Sequence, residues 1–158
     1  MRKAKKIAPE AKKIAPELSI IGWREMLTLP DLKIERIKAK IDTGARTSAL
    51  HAFNCHEFQQ DGKTMIRFTI HPLQRDRNYS IQADAELLEY RKVTNSGGQA
   101  QIRPVILTTV QLGELQWQVE LTLTNRDLMG FRMLLGRQAV RDRFAIDPGR
   151  SFLQSQQS

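Results

Sequence analysis

The chain has 158 residues, 41% of them hydrophobic, and a formal net charge of +8 at pH 7. This length and composition suit one globular domain with its own core, and they exclude a disordered chain. The single cysteine, Cys55, excludes an intrachain disulfide and fits a reducing compartment, and no stretch is long and apolar enough to span a bilayer. We therefore expect a cytoplasmic protein without a signal peptide or membrane span.

The first segment of the chain predicts a flexible basic arm over residues 1–18. The sequence KKIAPE occurs at residues 5–10 and again at residues 12–17, and residues 1–17 hold six Lys or Arg against two Glu. A segment this short and charged is typical of a solvated tail, and its alternative role is an electrostatic tether. Because the arm carries much of the excess charge, we expect an ordinary soluble domain with no nucleic acid partner.

Residues 19–158 predict a single, mostly β domain. Short apolar segments alternate with hairpin turns at Asp61-Gly62, at residues 96–98 and at Gly113-Glu114. The segment WQVELTLT alternates best and predicts a half-buried strand. The predicted strands are IIGW, EMLTLP, IERIKAKID, SALHAF, KTMIRFTI, YSIQADAELLEY, IRPVILTTVQL, WQVELTLT and MLLG. One brief helix, RQAVRDRF, follows them, and this pattern indicates a closed or nearly closed β barrel.

The segment KAKIDTGARTSALHA is the strongest candidate for chemistry. An alternating strand delivers Asp42 into a turn formed by Thr43 and Gly44. Gly44 permits close backbone approach, so its N–H can hydrogen-bond to the carboxylate of Asp42, while the Thr43 hydroxyl can brace the turn. Such a turn suits a water-activating carboxylate, although an Asp in a surface turn has the same sequence pattern.

The motif Asp42-Thr43-Gly44-Ala45 resembles the active-site motif of pepsin-like and retropepsin-like peptidases. Together with GWRE, HPLQRD, VTNSGG, ELTLTNRD and FRMLLGR, it resembles a bacterial family often labelled putative ATP-dependent zinc proteases, whose members are often encoded near ATP-grasp amino-acid ligases. The resemblance covers residues 21–153 and implies a retropepsin-like fold. No Walker-type Gly-Lys-Ser/Thr motif occurs, so the sequence predicts no ATP site.

The resemblance also implies roles for two further segments. Leu134-Leu135-Gly136, just before the predicted helix, is similar to the apolar element that supports the retropepsin active site. Ser96-Gly97-Gly98 lies between the two motifs and is similar to the tip of the flap that covers the substrate, although an ordinary hairpin turn has the same composition.

The chain contains one D-T-G motif and is too short for two pepsin-like lobes. The resemblance therefore implies a homodimeric aspartic endopeptidase in which the two copies of Asp42 share one proton and activate water. Arg46, Arg126 and Arg137 flank the motifs, together with Arg132, and arginine forks recognise carboxylates. We expect a peptide or protein substrate, acidic or carrying added glutamates, and surface ion pairs with Asp127 and Asp142 are the alternative role of these arginines.

Two other functions fit the sequence. His51, Cys55 and His71 lie close in sequence, together with His56, and could hold zinc in a metallopeptidase, but no H-E-x-x-H motif occurs. We therefore expect no cofactor and keep zinc as the alternative. The third reading is a non-catalytic β-barrel module that binds an acidic peptide or RNA through its arginines, with Asp42 in a structural role.

Overall fold

The structure is a computed structural model that describes residues 17–74, 76–95 and 97–156. The predicted basic arm lies outside this range up to residue 16, and so does Ser96 of the predicted flap turn. The described residues form β1 (Ser19–Gly22), β2 (Arg24–Leu29), β3 (Ile34–Asp42), β4 (Ser48–His51), β5 (Phe53–Gln60), β6 (Lys63–Ile70), β7 (Ile81–Thr94), β8 (Ala100–Leu112), β9 (Leu115–Thr124), β10 (Met133–Gly136), α1 (Arg137–Val140) and β11 (Phe144–Asp147).

Six of these strands form a closed ring. Their order is β9-β4-β10-β3-β2-β8, and β8 pairs with β9 to complete the circle. Strands β7, β6 and β5 extend the sheet from β8, while β1 and β11 form a separate parallel pair. The prediction of a mostly β fold with one short helix near its C-terminal end is confirmed.

The interior of the ring is apolar because the strands alternate inward and outward side chains. Leu27, Ile37, Ile106 and Leu121 are among its fully buried residues. Burying one such side chain stabilises the fold by about 1.5–3 kcal/mol, whereas an exposed ion pair such as Arg67–Asp84 contributes about 0–1 kcal/mol. The core therefore holds the ring together.

The predicted hairpin turns lie where the strands require them. Asp61 and Gly62 join β5 to β6 with positive φ values of 54° and 77°, which suits a tight turn between twisted strands. Gly113 joins β8 to β9 with a φ of 59°. The predicted start of β6 at Lys63 and the predicted end of β8 at Leu112 are confirmed, whereas β9 begins at Leu115, two residues before the predicted Trp117.

Three features differ from the sequence predictions. The continuous strand β5 was not predicted, since almost all of its side chains are exposed and carry no apolar alternation. The helix ends at Val140 because Arg141 leaves the helical region with ψ at 134°. Finally, β9 is not half-buried along its whole length, since Thr122 and Thr124 on its polar face are buried.

The fully buried carboxylate of Glu25 joins the end of β1 to residues 153–155. The Glu25 side chain accepts hydrogen bonds from the Gly22 N–H at 2.7 Å, the Leu153 N–H at 2.8 Å and the Ser155 hydroxyl at 2.7 Å. The Ile41 N–H donates to the Trp23 carbonyl at 2.8 Å, so this region lies against the end of β3. The end of the strand that carries Asp42 is thus hydrogen-bonded to the segment that Glu25 anchors.

No helix among the described residues has the length and apolar character needed to cross a membrane.

Candidate active site

Asp42 is the last residue of β3 and its side chain is partly exposed at the start of a tight turn. The Gly44 N–H donates to Oδ1 of Asp42 at 3.1 Å, and the Ala45 N–H donates to the Asp42 carbonyl at 3.2 Å. The hydrogen bond expected from the sequence is therefore present. It holds one carboxylate oxygen and leaves Oδ2 without a partner among the described residues.

The D-T-G turn connects β3 to β4, and β10 lies between these two strands in the sheet. Strand β10 pairs in parallel with β3, which places Gly136 beside Asp42, and antiparallel with β4, which places Met133 beside Leu50. Leu134 and Leu135 of β10 are both buried. The apolar element and the D-T-G motif, far apart in sequence, are therefore neighbours in the sheet.

Position 136 requires glycine because the backbone of Thr47 and Ser48, just after the turn, approaches it closely. A Cβ at this position would lie 2.7 Å from the carbonyl carbon of Thr47, which is backbone and cannot move aside cheaply. The Gly136 N–H donates to Oγ of Ser48 at 2.9 Å in a buried position. Steric fit and a buried hydrogen bond both fix β10 against the turn.

The short helix α1 anchors the other side of the turn. The Arg137 N–H donates to the Ala45 carbonyl at 2.7 Å, and the Gln138 N–H donates to the Arg46 carbonyl at 3.1 Å. Nη1 of Arg137 donates to the Thr43 carbonyl at 2.9 Å. Arg137, which the sequence suggests as a substrate contact, here braces the D-T-G turn.

The hairpin formed by β7 and β8 corresponds to the predicted flap. Its tip is closed by hydrogen bonds from the Asn95 N–H to the Gln99 carbonyl at 2.9 Å and from the Gln99 N–H to Oδ1 of Asn95 at 2.9 Å. Gly98 has a φ of +85°, which favours glycine. Gly97 and Gly98 are both exposed at this tip.

A cleft of about 720 Å³ separates the hairpin from the turn. Its walls are residues 44–47 of the turn, residues 91–94 at the end of β7, Glu120 and Thr122 of β9, and Arg137 and Gln138 of α1. Asp42 is not among the lining residues, but the turn that it begins is. The charged side chains on these walls are four bases, Arg46, Arg91, Lys92 and Arg137, and one acid, Glu120. The cleft therefore favours an anionic ligand.

Arg103 is a buried residue behind Thr122 of the cleft wall, and the sequence analysis missed it. Its Nε donates to Oε1 of Gln101 at 2.9 Å, and its Nη1 lies 3.4 Å from Oγ1 of Thr122. Burial, and to a smaller degree the nearby positive charge of Arg126, lower the pKa of Arg103. The burial of Thr122 and Thr124 is explained by this cluster, because Thr124 also donates to Gln101 at 2.9 Å.

Of the other predicted arginines, only Arg46 lines the cleft among the described residues. Arg46 is exposed on its wall. Arg126 is exposed beside the flap, where its Nη1 donates to Oε1 of Gln99 at 3.0 Å. Among the described residues neither one forms an ion pair, and Arg132 and Arg137 form none either. The alternative role of these arginines was to form surface ion pairs with Asp127 and Asp142. The described residues contain no such ion pair.

The zinc candidates are only partly brought together. The ring of Phe53 lies between His51 and His71, with centroids 6.3 Å and 4.9 Å away. Burial, followed by the charge of Arg132, lowers the pKa of His51, and partial desolvation raises the pKa of the Cys55 thiol. In the ranges that the structure describes, no three His, Cys, Asp or Glu side chains are grouped so that they could hold a metal ion.

Comparison with known proteins agrees with this geometry. The sequence profile of the RimB-like family, described as retropepsin-like aspartic endopeptidase RimB, matches residues 20–157. The chain belongs to the RimB-like family. The resemblance inferred from the D-T-G, flap and Leu-Leu-Gly motifs is confirmed at the level of the family, and with it the retropepsin-like fold.

The chain also resembles part of larger proteins. It is 50% identical over 129 residues to a probable alpha-L-glutamate ligase of Parasynechococcus marenigrum, covering 82% of this chain and 28% of that protein. It is 42% identical over 139 residues to a probable alpha-L-glutamate ligase of Shewanella halifaxensis, covering 88% of this chain and 30% of that protein. The chain thus spans less than a third of the length of these relatives.

A solved structure shares the fold over nearly its whole length. A Legionella pneumophila protein of unknown function (DUF785) superposes with a TM-score of 0.72 at 32% identity, covering 87% of this chain and 99% of that one. The same fold is therefore seen elsewhere in a chain of similar size.

Proposed function

We propose that this RimB-like chain is an aspartic endopeptidase whose active site forms when two copies bring their Asp42 side chains together. The observation that carries the proposal is the position of Asp42. It ends the partly buried strand β3, it is oriented by the Gly44 N–H at 3.1 Å, and it lies beside Gly136 of β10. A fixed and partly exposed carboxylate is what water activation requires.

Two copies are needed because the chain supplies one D-T-G motif. Two carboxylates that meet at a twofold axis cannot both ionise, so they share one proton. The ionised carboxylate takes a proton from water as the water oxygen attacks the peptide carbonyl carbon. The protonated carboxyl donates its proton to the carbonyl oxygen, and collapse of the tetrahedral intermediate transfers a proton to the departing amine.

The flap hairpin would complete the site. Closing β7 and β8 over a peptide in the cleft would exclude water from the reacting carbonyl and hold the peptide in an extended form. The excess of basic side chains on the cleft walls supports an acidic peptide. The names of the ligase relatives suggest glutamate residues added to a protein or peptide as its source.

The first experiment compares peptide cleavage by the wild type and by Asp42→Asn, each with and without a metal chelator, on a library that includes glutamate-rich peptides. We expect a loss of kcat/KM on the order of 10²–10⁴-fold in Asp42→Asn and no effect of the chelator. Asp61→Asn is the matched control, because it removes the same charge at an exposed turn whose positive φ asparagine tolerates. Cleavage that survives the mutation and stops with chelator would establish the zinc alternative instead.

A mixing experiment tests the shared site. Adding excess Asp42→Asn chain to a fixed amount of wild type should lower the total activity, because mixed dimers carry one carboxylate. The control addition of the same mass of an unrelated folded protein should leave the activity unchanged. Activity that is indifferent to the first addition would show that each chain works alone.

A further inference from the structure

The flap hairpin and β9 enclose a buried positive charge that the catalytic proposal does not use. Arg103 of β8 is 8% exposed, and it forms no ion pair within the described residues. Arginine stays charged in proteins, and burying a charge without an opposite charge is costly. A charge kept at such a cost calls for an anionic partner outside the described structure.

The neighbouring protein groups satisfy this guanidinium only in part. Nε and Nη1 face two neutral oxygens, Oε1 of Gln101 and Oγ1 of Thr122. An arginine has five N–H donors, so three remain without a partner among the described residues. Neutral acceptors orient the guanidinium group of Arg103 but do not neutralise its charge. The group is thus held ready for a bidentate carboxylate.

The two acidic side chains that contact the neighbouring Arg91 are already engaged. Arg91, which lies directly opposite Arg103 in the β7–β8 ladder, contacts Glu120 at 3.0 Å and Glu89 at 2.5 Å. Since directly opposite residues in an antiparallel pair share one face, Arg91 and Arg103 both face β9. The two acids on this face therefore compensate Arg91, and Arg103 keeps its full charge.

Arg126 adds a second cation beside Arg103. It follows β9, it is exposed, and its Nη1 donates to Gln99 at the end of the flap. Its positive charge is close enough to lower the pKa of Arg103. Two like charges at one place repel each other, and an anion between them would relieve both.

This cluster is connected to the D-T-G turn by the sheet. Oγ1 of Thr122 lies 3.4 Å from Arg103 and donates to the Ser48 carbonyl at 3.3 Å, while Oγ of Ser48 accepts from the Gly136 N–H beside Asp42. Thr122 also lines the cleft. Arg103 and Arg126 do not themselves line the cleft, so a carboxylate held by Arg103 would lie next to the cleft, on the far side of Thr122.

We propose that Arg103 and Arg126 form a carboxylate-binding subsite at the base of the flap, which binds a glutamate or aspartate side chain of the peptide in the cleft. The proposal rests on the proposed peptidase function for the identity of the ligand. It adds the residues that select an acidic substrate. The pair would act in specificity, and Asp42 in the reaction itself.

Binding tests the subsite without relying on turnover. In the Asp42→Asn chain, the affinity of a fluorescein-labelled peptide with a run of glutamates is compared with that of the same peptide with glutamines. We expect the glutamate peptide to bind at least about tenfold more tightly, as charge-assisted bidentate hydrogen bonds allow. Arg103→Met and Arg126→Met should each reduce this ratio toward one by weakening the glutamate peptide only.

Matched variants separate the subsite from general charge and from folding. Arg67→Met removes the same charge far along β6, where Arg67 pairs with Asp84, and should keep the ratio. Arg103→Lys keeps the charge without the fork and should give an intermediate ratio. Melting temperatures identify a misfolded Arg103→Met, and in that case the exposed Arg126→Met still decides the question.

Three other outcomes would overturn the subsite, and a fourth would separate it from the peptidase. A ratio that is unchanged in Arg103→Met and Arg126→Met would show that they do not bind the carboxylate. An equal loss for both peptides would assign Arg103 a purely structural role. An oligouridylate that binds through Arg103 while neither peptide binds would make the site one for nucleic acid. A wild type that cleaves nothing, with a ratio that still depends on Arg103, would refute the peptidase and leave the subsite.

Discussion

The D-T-G turn and the flap hairpin lie on opposite sides of one cleft but are built in different ways. The turn is held by backbone hydrogen bonds from Arg137 and Gln138, by a steric fit at Gly136 and by strands on both sides. The outer half of the hairpin has its own ladder, with exposed side chains such as Ile102 at 63% exposure. One side fixes a carboxylate through backbone contacts, and the other ends in an exposed hairpin tip.

Side chains also connect the hairpin to β9 and to the residue Arg126 that follows it. Arg91 reaches Glu120, Arg103 reaches Thr122 and Arg126 reaches Gln99. A substitution in the turn region therefore disturbs backbone contacts. A substitution at the flap tip affects only exposed side chains or the local loop. Substitutions should consequently have large effects on stability at the turn and small effects at the flap tip.

The largest effect is expected for Gly136→Ala. Its added Cβ would lie 2.7 Å from backbone at Thr47, so β10 or the turn must shift, at a cost of about 3 kcal/mol or more of unfolding free energy. Urea denaturation measures this cost. Gly97→Ala at the flap is the matched control, since its Cβ would meet only Oδ1 of Asn95 at 3.4 Å. Equal losses in the two variants would contradict the contrast between turn and flap.

The second effect is expected for Ser48→Ala. It removes the buried acceptor of the Gly136 N–H, and an unsatisfied buried donor costs about 1–3 kcal/mol. Thr108→Val is the control, because Oγ1 of Thr108 is buried without a hydrogen-bond partner among the described residues, so its loss should be neutral or stabilising. If both variants unfold at the same urea concentration as the wild type, the hydrogen bond does not hold β10.

A smaller effect is expected at the flap for Gly98→Ala. Nothing lies within 4 Å of the added Cβ, so the cost is the positive φ of +85° alone, about 1 kcal/mol. Thermal denaturation beside Gly97→Ala measures it. A cost as large as that of Gly136→Ala would show that the flap tip is as tightly constrained as the turn.

The sequence predicted the turn well because its signals are local. Asp42-Thr43-Gly44 follows an alternating strand, Leu134-Leu135-Gly136 is a short apolar run, and glycine positions mark the hairpins. The order of these motifs was enough to infer the family and the fold. That Asp42 and Gly136 are adjacent was implied by the resemblance, and the pairing of β3 with β10 shows it.

The parts that were missed depend on tertiary packing. Strand β5 is exposed on both faces, so the hairpin with β6 determines it and apolar periodicity does not. Arg103 lies in IRPVILTTVQL, where a charged residue normally marks the outward face of a strand. Its burial arises from Thr122 and Thr124, which pattern analysis assigns to the polar face of β9. A buried threonine pair opposite an arginine is visible only after the strands are paired.

The smallest effect should come from His51, the last residue of β4, the strand that begins just after the turn. Burial lowers the pKa of His51 below its ordinary value of 6.5, while in the unfolded chain it titrates near that value. Above both values the imidazole is neutral in both states and does not make stability depend on pH. As the pH falls through about 6.5, the unfolded state takes up the proton first, so stability decreases until the folded pKa is passed.

His51→Gln removes this titration and should reduce the loss of melting temperature between pH 8 and pH 5. The comparison is made between the two pH slopes, because other groups titrate equally in both chains. His51 donates its backbone N–H to the Arg132 carbonyl at 2.8 Å in either variant, so β4 stays attached to the loop before β10. Identical slopes would mean that His51 is as accessible to protons as in the unfolded chain. In that case the tightly packed region around the D-T-G turn would end before His51 along β4.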